Sequence, residues 1–379
     1  MQSILQSALA CVVGAVEITT DPSGVTFHRS PSTARARLGD IGLDSMSAVP
    51  AGVRIEALTD ASALEFDVEL TEFLILGATS SGSAFDLALD GELRDPVITK
   101  EQTLVVVDPV TWAMEHQPAG PVTLRFDLGA SGTERRVEIW LPAGAMLKLL
   151  DVRITDGSSL RPAPATGPLW VHHGSSVSQC AEADRPTGTW PAIVARAAGR
   201  SLLNLAIAGQ SHLDQFTARA IRDLPATAIS LELGLNILNA DSMRERAFVS
   251  AFHGFLDTIR DGHPTTPIVI VTPIICPIAE DHPGPTPVGP DQQIHVVKRP
   301  AELAADALSL SRIRALLHQQ SVVRYKEGDV NLHIIDGLTL FGLDDVADLT
   351  DGLHPNARGY RRMAARFLPL AFGDEGPLR

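Results

Sequence analysis

From about Gly14 to Ile154 apolar residues recur at every second position. In LEFDVEL, Leu64, Phe66, Val68 and Leu70 fall on one face and Glu65, Asp67 and Glu69 on the other. VTLRFDL repeats the pattern with Val122, Leu124, Phe126 and Leu128, and AFDLALDGEL places a turn-forming Asp90-Gly91 pair after a third alternating run. Many short strands separated by turns, with scarcely a helical pattern among them, predict an antiparallel β-sandwich of jelly-roll type over residues 1–154.

The next stretch, TDGSSLRPAPATGP over 155–168, is rich in Ser, Pro and Gly, has no periodicity, and is expected to be a linker. From 169 to 379 the rhythm changes. PLWVHH, SLLNLAIA, TAISLELGL, PIVIVTP and NLHIID are continuous apolar runs of the kind buried on both faces of a parallel sheet. Between them lie amphipathic segments. Leu213, Phe216, Thr217, Ala220, Ile221 and Leu224 share one helical face, as do Phe248, Phe252, Phe255 and Ile259, with Asp241 placed to cap the second helix. The expected class is α/β, a three-layer, doubly wound parallel sheet preceded by the sandwich.

Composition narrows the function. The chain has 379 residues, 45% of them hydrophobic, enough for two cores. Its 45 acidic against 31 basic side chains give a net charge of -14, which disfavours nucleic acid and anionic membrane surfaces as partners. Cys11, Cys180 and Cys276 are too few and too scattered for a disulfide framework or a thiolate metal site. Ala8-Leu9-Ala10-Cys11 looks like a lipoprotein cleavage site, but no Lys or Arg precedes the apolar part, Gln6 and Ser7 interrupt it, and it runs into a strand-like VEITTD. A cytoplasmic location is therefore expected, and no later run has the apolar length of a transmembrane helix.

In an open parallel sheet ligands bind outside the carboxyl ends of the strands. The first run ends in Gly174-Ser175-Ser176, the second in Gly209, and the third in Gly234 and Asn236. DGLHPN, with Asp351 and His354, stands before the last helix. A serine hydroxyl needs a base to act as a nucleophile, and the base needs an acceptor to fix its tautomer. Asp351 and His354, three residues apart, can hold that geometry locally. Backbone N–H groups at Ser176 and Gly209, with the Asn236 amide, would supply donors for an oxyanion.

These four blocks, in this order, resemble those of the SGNH (GDSL) hydrolase family. The resemblance implies a nucleophile at Ser176, oxyanion donors at Ser176, Gly209 and Asn236, and a triad completed by Asp351 and His354. GSSVS stands where the family has Gly-Asp-Ser-Leu-Ser, so Ser175 replaces an aspartate, and Ile237 replaces the Asp that often follows the block's Asn. GSSVS lacks the closing glycine of a Gly-x-Ser-x-Gly elbow, and the acid sits beside the base, which argues against an ordinary α/β-hydrolase. The implied activity is esterase chemistry on small or medium acyl groups through an acyl-enzyme. A sandwich fused to such a domain is also similar to actinomycete GDSL esterases and acyltransferases of natural-product biosynthesis. That makes transfer from acyl-CoA to an alcohol the alternative, and an inactive carbohydrate-binding or scaffold protein the alternative from another class.

No cofactor other than an acyl donor and no metal are expected. The partners are a small-molecule ester, or an acyl donor with an alcohol acceptor. His172 and His173 are expected to be packed or hydrogen-bonded in the core, and Asp344 and Asp345 to lie on a solvated loop. Trp112, Trp140 and Trp170 are expected in core or interdomain packing. The Pro-rich segment 276–300 is a candidate lid or substrate wall, with Lys298 and Arg299 a solvated pair at its end.

Overall fold

The computed structural model describes residues 1–130 and 132–379. In the N-terminal domain an eight-stranded sheet is centred on Ala63–Ile75, which pairs antiparallel with Ala145–Ile154 and Val122–Asp127. A seven-stranded sheet is centred on Arg54–Thr59, Arg135–Trp140 and Ser83–Leu89. Leu64, Phe66, Val68 and Leu70 are at most 2% exposed, and the edge of Phe66 packs on Phe126 with ring centroids 5.2 Å apart. On the opposite face Glu65 and Asp67 pair with Arg125 and Arg153. The alternation read from the sequence is thus the physical division between an apolar interior and a charged exterior.

Three features depart from the plain antiparallel pattern. Thr103–Val107 runs parallel to Thr71–Ile75. The helices Leu5–Leu9, Ser32–Leu38 and Ile41–Ser47 interrupt the strands. The pair Ser32–Leu38 and Ile41–Ser47 is set by local stop and start signals, Gly39 at φ +64° and Asp40 accepting from the Leu43 N–H, and not by any apolar stripe. Third, the presumed linker is partly ordered: Leu160–Pro162 extends the second sheet beside Ala57–Thr59.

The C-terminal domain is built on five parallel strands: β1 (Leu169–His173), β2 (Ser201–Asn204), β3 (Ala228–Glu232), β4 (Ile268–Val271) and β5 (Leu332–Ile335). They lie in the order β2-β1-β3-β4-β5. The helices are α1 (Ser176–Gln179), α2 (Trp190–Ala197), α3 (Gln215–Arg222), α4 (Leu235–Ala240), α5 (Glu245–Gly262), α6 (Leu310–Lys326), α7 (Gly337–Leu340) and α8 (Ala357–Phe372). The chain crosses the sheet in one direction from β1 to β2 and in the other from β2 to β3, so right-handed crossovers put α2 and α3 on opposite faces. α2 packs on α8 and α3 on α5. This is the expected three-layer, doubly wound fold, with its switch point between β1 and β3.

Phe248, Phe252, Phe255 and Ile259 are fully buried on α5. In α3 the buried positions are Ala218 and Ile221, a narrower stripe than the sequence suggested. Asp241 does not cap α5. It ends α4 at φ +49° and pairs with Arg244 and Arg299. Among the described residues no helix is long and apolar enough to cross a membrane.

The two domains share buried contacts. Trp140, on the last residue of its sandwich strand, packs into the C-terminal core under the Arg54 guanidinium, 4.6 Å from the ring centre. Trp170 is also buried, whereas Trp112 is 71% exposed on a hairpin turn, contrary to the packing role expected of it. Asp86, fully buried on Ser83–Leu89, accepts bonds from Arg185 Nε (2.8 Å), Thr187 N (2.7 Å) and Thr187 Oγ1 (2.6 Å) across the boundary. Asp86→Ala leaves these donors unpaired, and should lower unfolding stability by about 2–3 kcal/mol, read as a lower urea midpoint.

Candidate active site

β1 ends in a turn that presents two adjacent serines in opposite ways. Ser175 is fully buried. Its N–H and hydroxyl both donate to Glu232 Oε2, at 2.7 and 2.6 Å, and its Oγ accepts from Val177 N as the N-cap of α1. Glu232 is the last residue of β3, beside β1, and burial pushes its carboxyl above the usual range despite the Ser175 bonds. Ser176 alone in this turn reaches the surface of the site. Its Oγ lies 2.8 Å from His354 Nε2, and His354 Nδ1 lies 2.6 Å from Asp351 Oδ2.

The segment carrying Asp351 and His354 holds itself in shape. Asp351 Oδ1 accepts from the N–H groups of Leu353 (3.0 Å) and His354 (2.8 Å), Gly352 takes φ +90°, and the N–H of Thr350 donates to His354 O at 2.8 Å. Asn356 then caps α8 through the Gly359 N–H. Burial would raise the Asp351 carboxyl, but bonds from the His354 ring and from these N–H groups hold it below its ordinary value. For His354 burial acts downward, and is outweighed by the nearby charge of Glu182 and by Asp351, which together push the imidazole up to about 9.

Gly209 follows β2 at φ +73°, and Asn236 sits buried in the first turn of α4, after β3. Among the described residues the N–H groups of Ser176 and Gly209 donate to no acceptor. The Asn236 Oδ1 accepts the Ser211 N–H at 3.0 Å, so its NH2 group points the other way, with a long 3.4 Å contact to Asn239 Oδ1. Three donors without strong protein acceptors thus stand at the ends of β1, β2 and β3. The arrangement can draw a proton from Ser176 to His354 and leaves donors available for a developing oxyanion.

The buried histidines support this layer. Burial lowers His172 to about 3 and His173 to about 4, so both rings are neutral. His173 donates from Nδ1 to Leu205 O, which leaves Nε2 to accept from the Ser211 hydroxyl at 3.2 Å, next to the N–H that orients Asn236. His172 is held by Ser230 at 2.7 Å. From the sandwich, Arg29 reaches under α1. It donates to Met46 O, Ala206 O and Gln179 Oε1, and Gln179 Oε1 also accepts the Ala208 N–H beside Gly209. Among the described residues Arg29 has no carboxylate partner, and burial lowers its guanidinium to about 9.

The segment after β4 touches the site at two points: Ile294 N donates to Asp351 O, and Thr286 N to Asn239 O on α4. Arg299 is not solvated as expected. It is largely buried, pairing with Asp241 at 2.7 Å and donating to Gly284 O, whereas Lys298 is exposed. Asp345 is likewise buried, with Arg362 and Arg366, while Asp344 is exposed. Among the described residues no group of three or more His, Cys, Asp or Glu side chains is placed to hold a metal ion.

Residues 169–282 match the profile of the GDSL-like Lipase/Acylhydrolase family. This stretch belongs to that family. The whole chain is similar to the salicylyl-acyltransferase SsfX3 from a tetracycline biosynthetic pathway, with 27% identity and a TM-score of 0.79 over 100% of this chain and 99% of that one. A GDSL-like lipase from Bacteroides ovatus has 20% identity, a TM-score of 0.66 and coverage of 96% and 94%. A family two carbohydrate esterase from Cellvibrio japonicus has 13% identity, a TM-score of 0.59 and coverage of 97% and 96%. The last two are likenesses of fold. Among curated proteins none matches the sequence.

All five residues chosen from the sequence lie at the carboxyl edge of this domain's sheet. Glu232, Glu182, Gln179, Ser211 and Arg29 were not foreseen. Only Glu232 left a trace in the sequence, as a carboxylate ending a strand buried on both faces. On an ester substrate Asn236→Ala should lower kcat by roughly a hundred- to a thousandfold with KM little changed, in steady-state assays.

Proposed function

We propose that the protein transfers acyl groups through a covalent Ser176 acyl-enzyme. The reading is carried by the continuous chain of hydrogen bonds from Ser176 Oγ through His354 to Asp351, at 2.8 and 2.6 Å. In this mechanism His354 Nε2 takes the proton as Ser176 Oγ attacks the ester or thioester carbonyl, and Asp351 fixes the ring with Nε2 free to accept. The tetrahedral oxyanion is held by the N–H groups of Ser176 and Gly209 and by the Asn236 amide. Collapse expels the leaving group, which takes the proton from His354. A second nucleophile, deprotonated by His354, then releases the acyl group and restores Ser176.

With water as that nucleophile the enzyme is an esterase for small or medium acyl groups. A second reading, transfer to an alcohol such as a natural-product hydroxyl with acyl-CoA as donor, is favoured by the end-to-end similarity to a salicylyl-acyltransferase that spans both domains. Intact-mass spectrometry with a short activated ester, and separately with acyl-CoA, separates the two. Acyl-Ser176 that discharges only when an alcohol is added makes the protein a transferase, and rapid discharge in water makes it an esterase. Failure of a fluorophosphonate probe to label Ser176 would instead favour a non-catalytic binding protein.

Ser176→Ala should cost on the order of a millionfold in kcat, whereas Ser175, turned into the protein on Glu232, has no chemical role. A Ser176→Ala variant near wild-type activity with an inactive Ser175→Ala would reverse the assignment. Because His354 must be neutral to accept a proton, and its pKa is raised to about 9, kcat/KM should climb through that pH. Below it, the rate should fall about tenfold per pH unit. A rate profile flat from pH 6 to 9 would contradict this.

A further inference from the structure

Glu182 has no role in the mechanism above, yet among the described residues it stands closer to the histidine than any carboxylate except Asp351. It lies in the loop after α1, and its Oε1 is 4.0 Å from His354 Nδ1, the nitrogen that Asp351 Oδ2 meets at 2.6 Å. Its Oε2 accepts a 2.6 Å bond from the hydroxyl of Tyr360, which is fully buried on α8, six residues beyond His354. The helix that follows the histidine therefore also fixes the second carboxylate. Among the described residues neither Glu182 nor Asp351 pairs with a Lys or Arg.

The other titratable groups around the ring carry no charge at neutral pH. Burial raises the Tyr360 phenol on α8 and the Cys180 thiol at the end of α1 well above their ordinary values, and raises the Cys276 thiol after β4, which faces Asp351, to about 11. Ser176 occupies the opposite nitrogen. Among the described residues, two carboxylates and no Lys or Arg act on this imidazole.

We propose that Glu182 is a positioning residue for the histidine, a second carboxylate held by Tyr360 that stabilises the imidazolium formed when Ser176 is deprotonated. This rests on the reading of Ser176 and His354 as nucleophile and base. A unit charge about 4 Å away in a partly wetted site is worth roughly one to two pH units on its partner, and Glu182 leads the influences that raise His354. The base is consequently strong but mostly protonated at neutral pH, and the enzyme works best in alkaline solution.

Glu182→Gln removes the charge and keeps an oxygen for Tyr360. With p-nitrophenyl acetate, the midpoint of the kcat/KM rise should move to lower pH by about one to two units. The profiles then cross: the variant is slower on the alkaline plateau and several-fold faster than wild type near pH 6 to 7. Structural damage alone would scale the whole curve down and leave its midpoint in place, and that result overturns the proposal. An NMR titration of the His354 ring in Ser176→Ala, with and without Glu182→Gln, requires no turnover and should show the same downward shift; an unchanged midpoint there also overturns it. If p-nitrophenyl acetate fails to acylate Ser176, the mechanism fails, while the ring titration still decides the role of Glu182.

Discussion

A 2.8 Å hydrogen bond joins Ser176 and His354, residues 178 positions apart, and nearly every element of the C-terminal domain bears on whether it forms. One end depends on β1, whose terminal turn is clamped to β3 through Glu232. The other depends on a segment that needs little from the rest of the protein, since Asp351, Gly352 and Asn356 shape it through their own backbone contacts. A clamped turn and a self-contained turn meet because the sheet order brings β1 to the switch point and α8 packs back over α2. The chemistry is local, but its geometry comes from the whole domain.

The sandwich contributes more than bulk. Arg29 brings a guanidinium into the space beneath α1 and directs its donors to backbone carbonyls and Gln179. An isolated C-terminal domain would leave the Ala206 carbonyl facing water and Gln179 with one fewer partner, beside the residue that precedes Gly209. Asp86, Arg54 and Trp140 complete a boundary made of buried polar contacts and one aromatic ring. That boundary resembles the interior of a single domain more than a contact between independently mobile units.

What could be read in the sequence follows from which forces act locally. One-sided burial writes period two into the sandwich strands, and two-sided burial writes continuous apolar runs into β1 to β5, so both architectures were legible. So were the strand-end residues, because a parallel sheet gathers its carboxyl ends regardless of the loops between. The helices over 32–47 escaped because capping residues define them and no apolar stripe does. Glu182, Arg29, Arg299 and Asp345 escaped for a different reason: a charged side chain in a polar segment reads as solvated, and only its partner, chosen by the tertiary fold, shows that it is held inside the structure. The partners of these four come from other elements, at separations that no motif spans.

The Ser175–Glu232 contact has a meaning beyond this chain. Where the family motif has aspartate before the nucleophile, this protein has a hydroxyl, and the carboxyl that meets this turn comes instead from the neighbouring strand. An aspartate at 175 would set a second carboxyl against Glu232 in a dry turn, where the two groups would have to share a proton. A hydroxyl at position 175 avoids that contest by donating to the Glu232 carboxyl, so the residue that fits before the nucleophile is tied to the residue that ends β3.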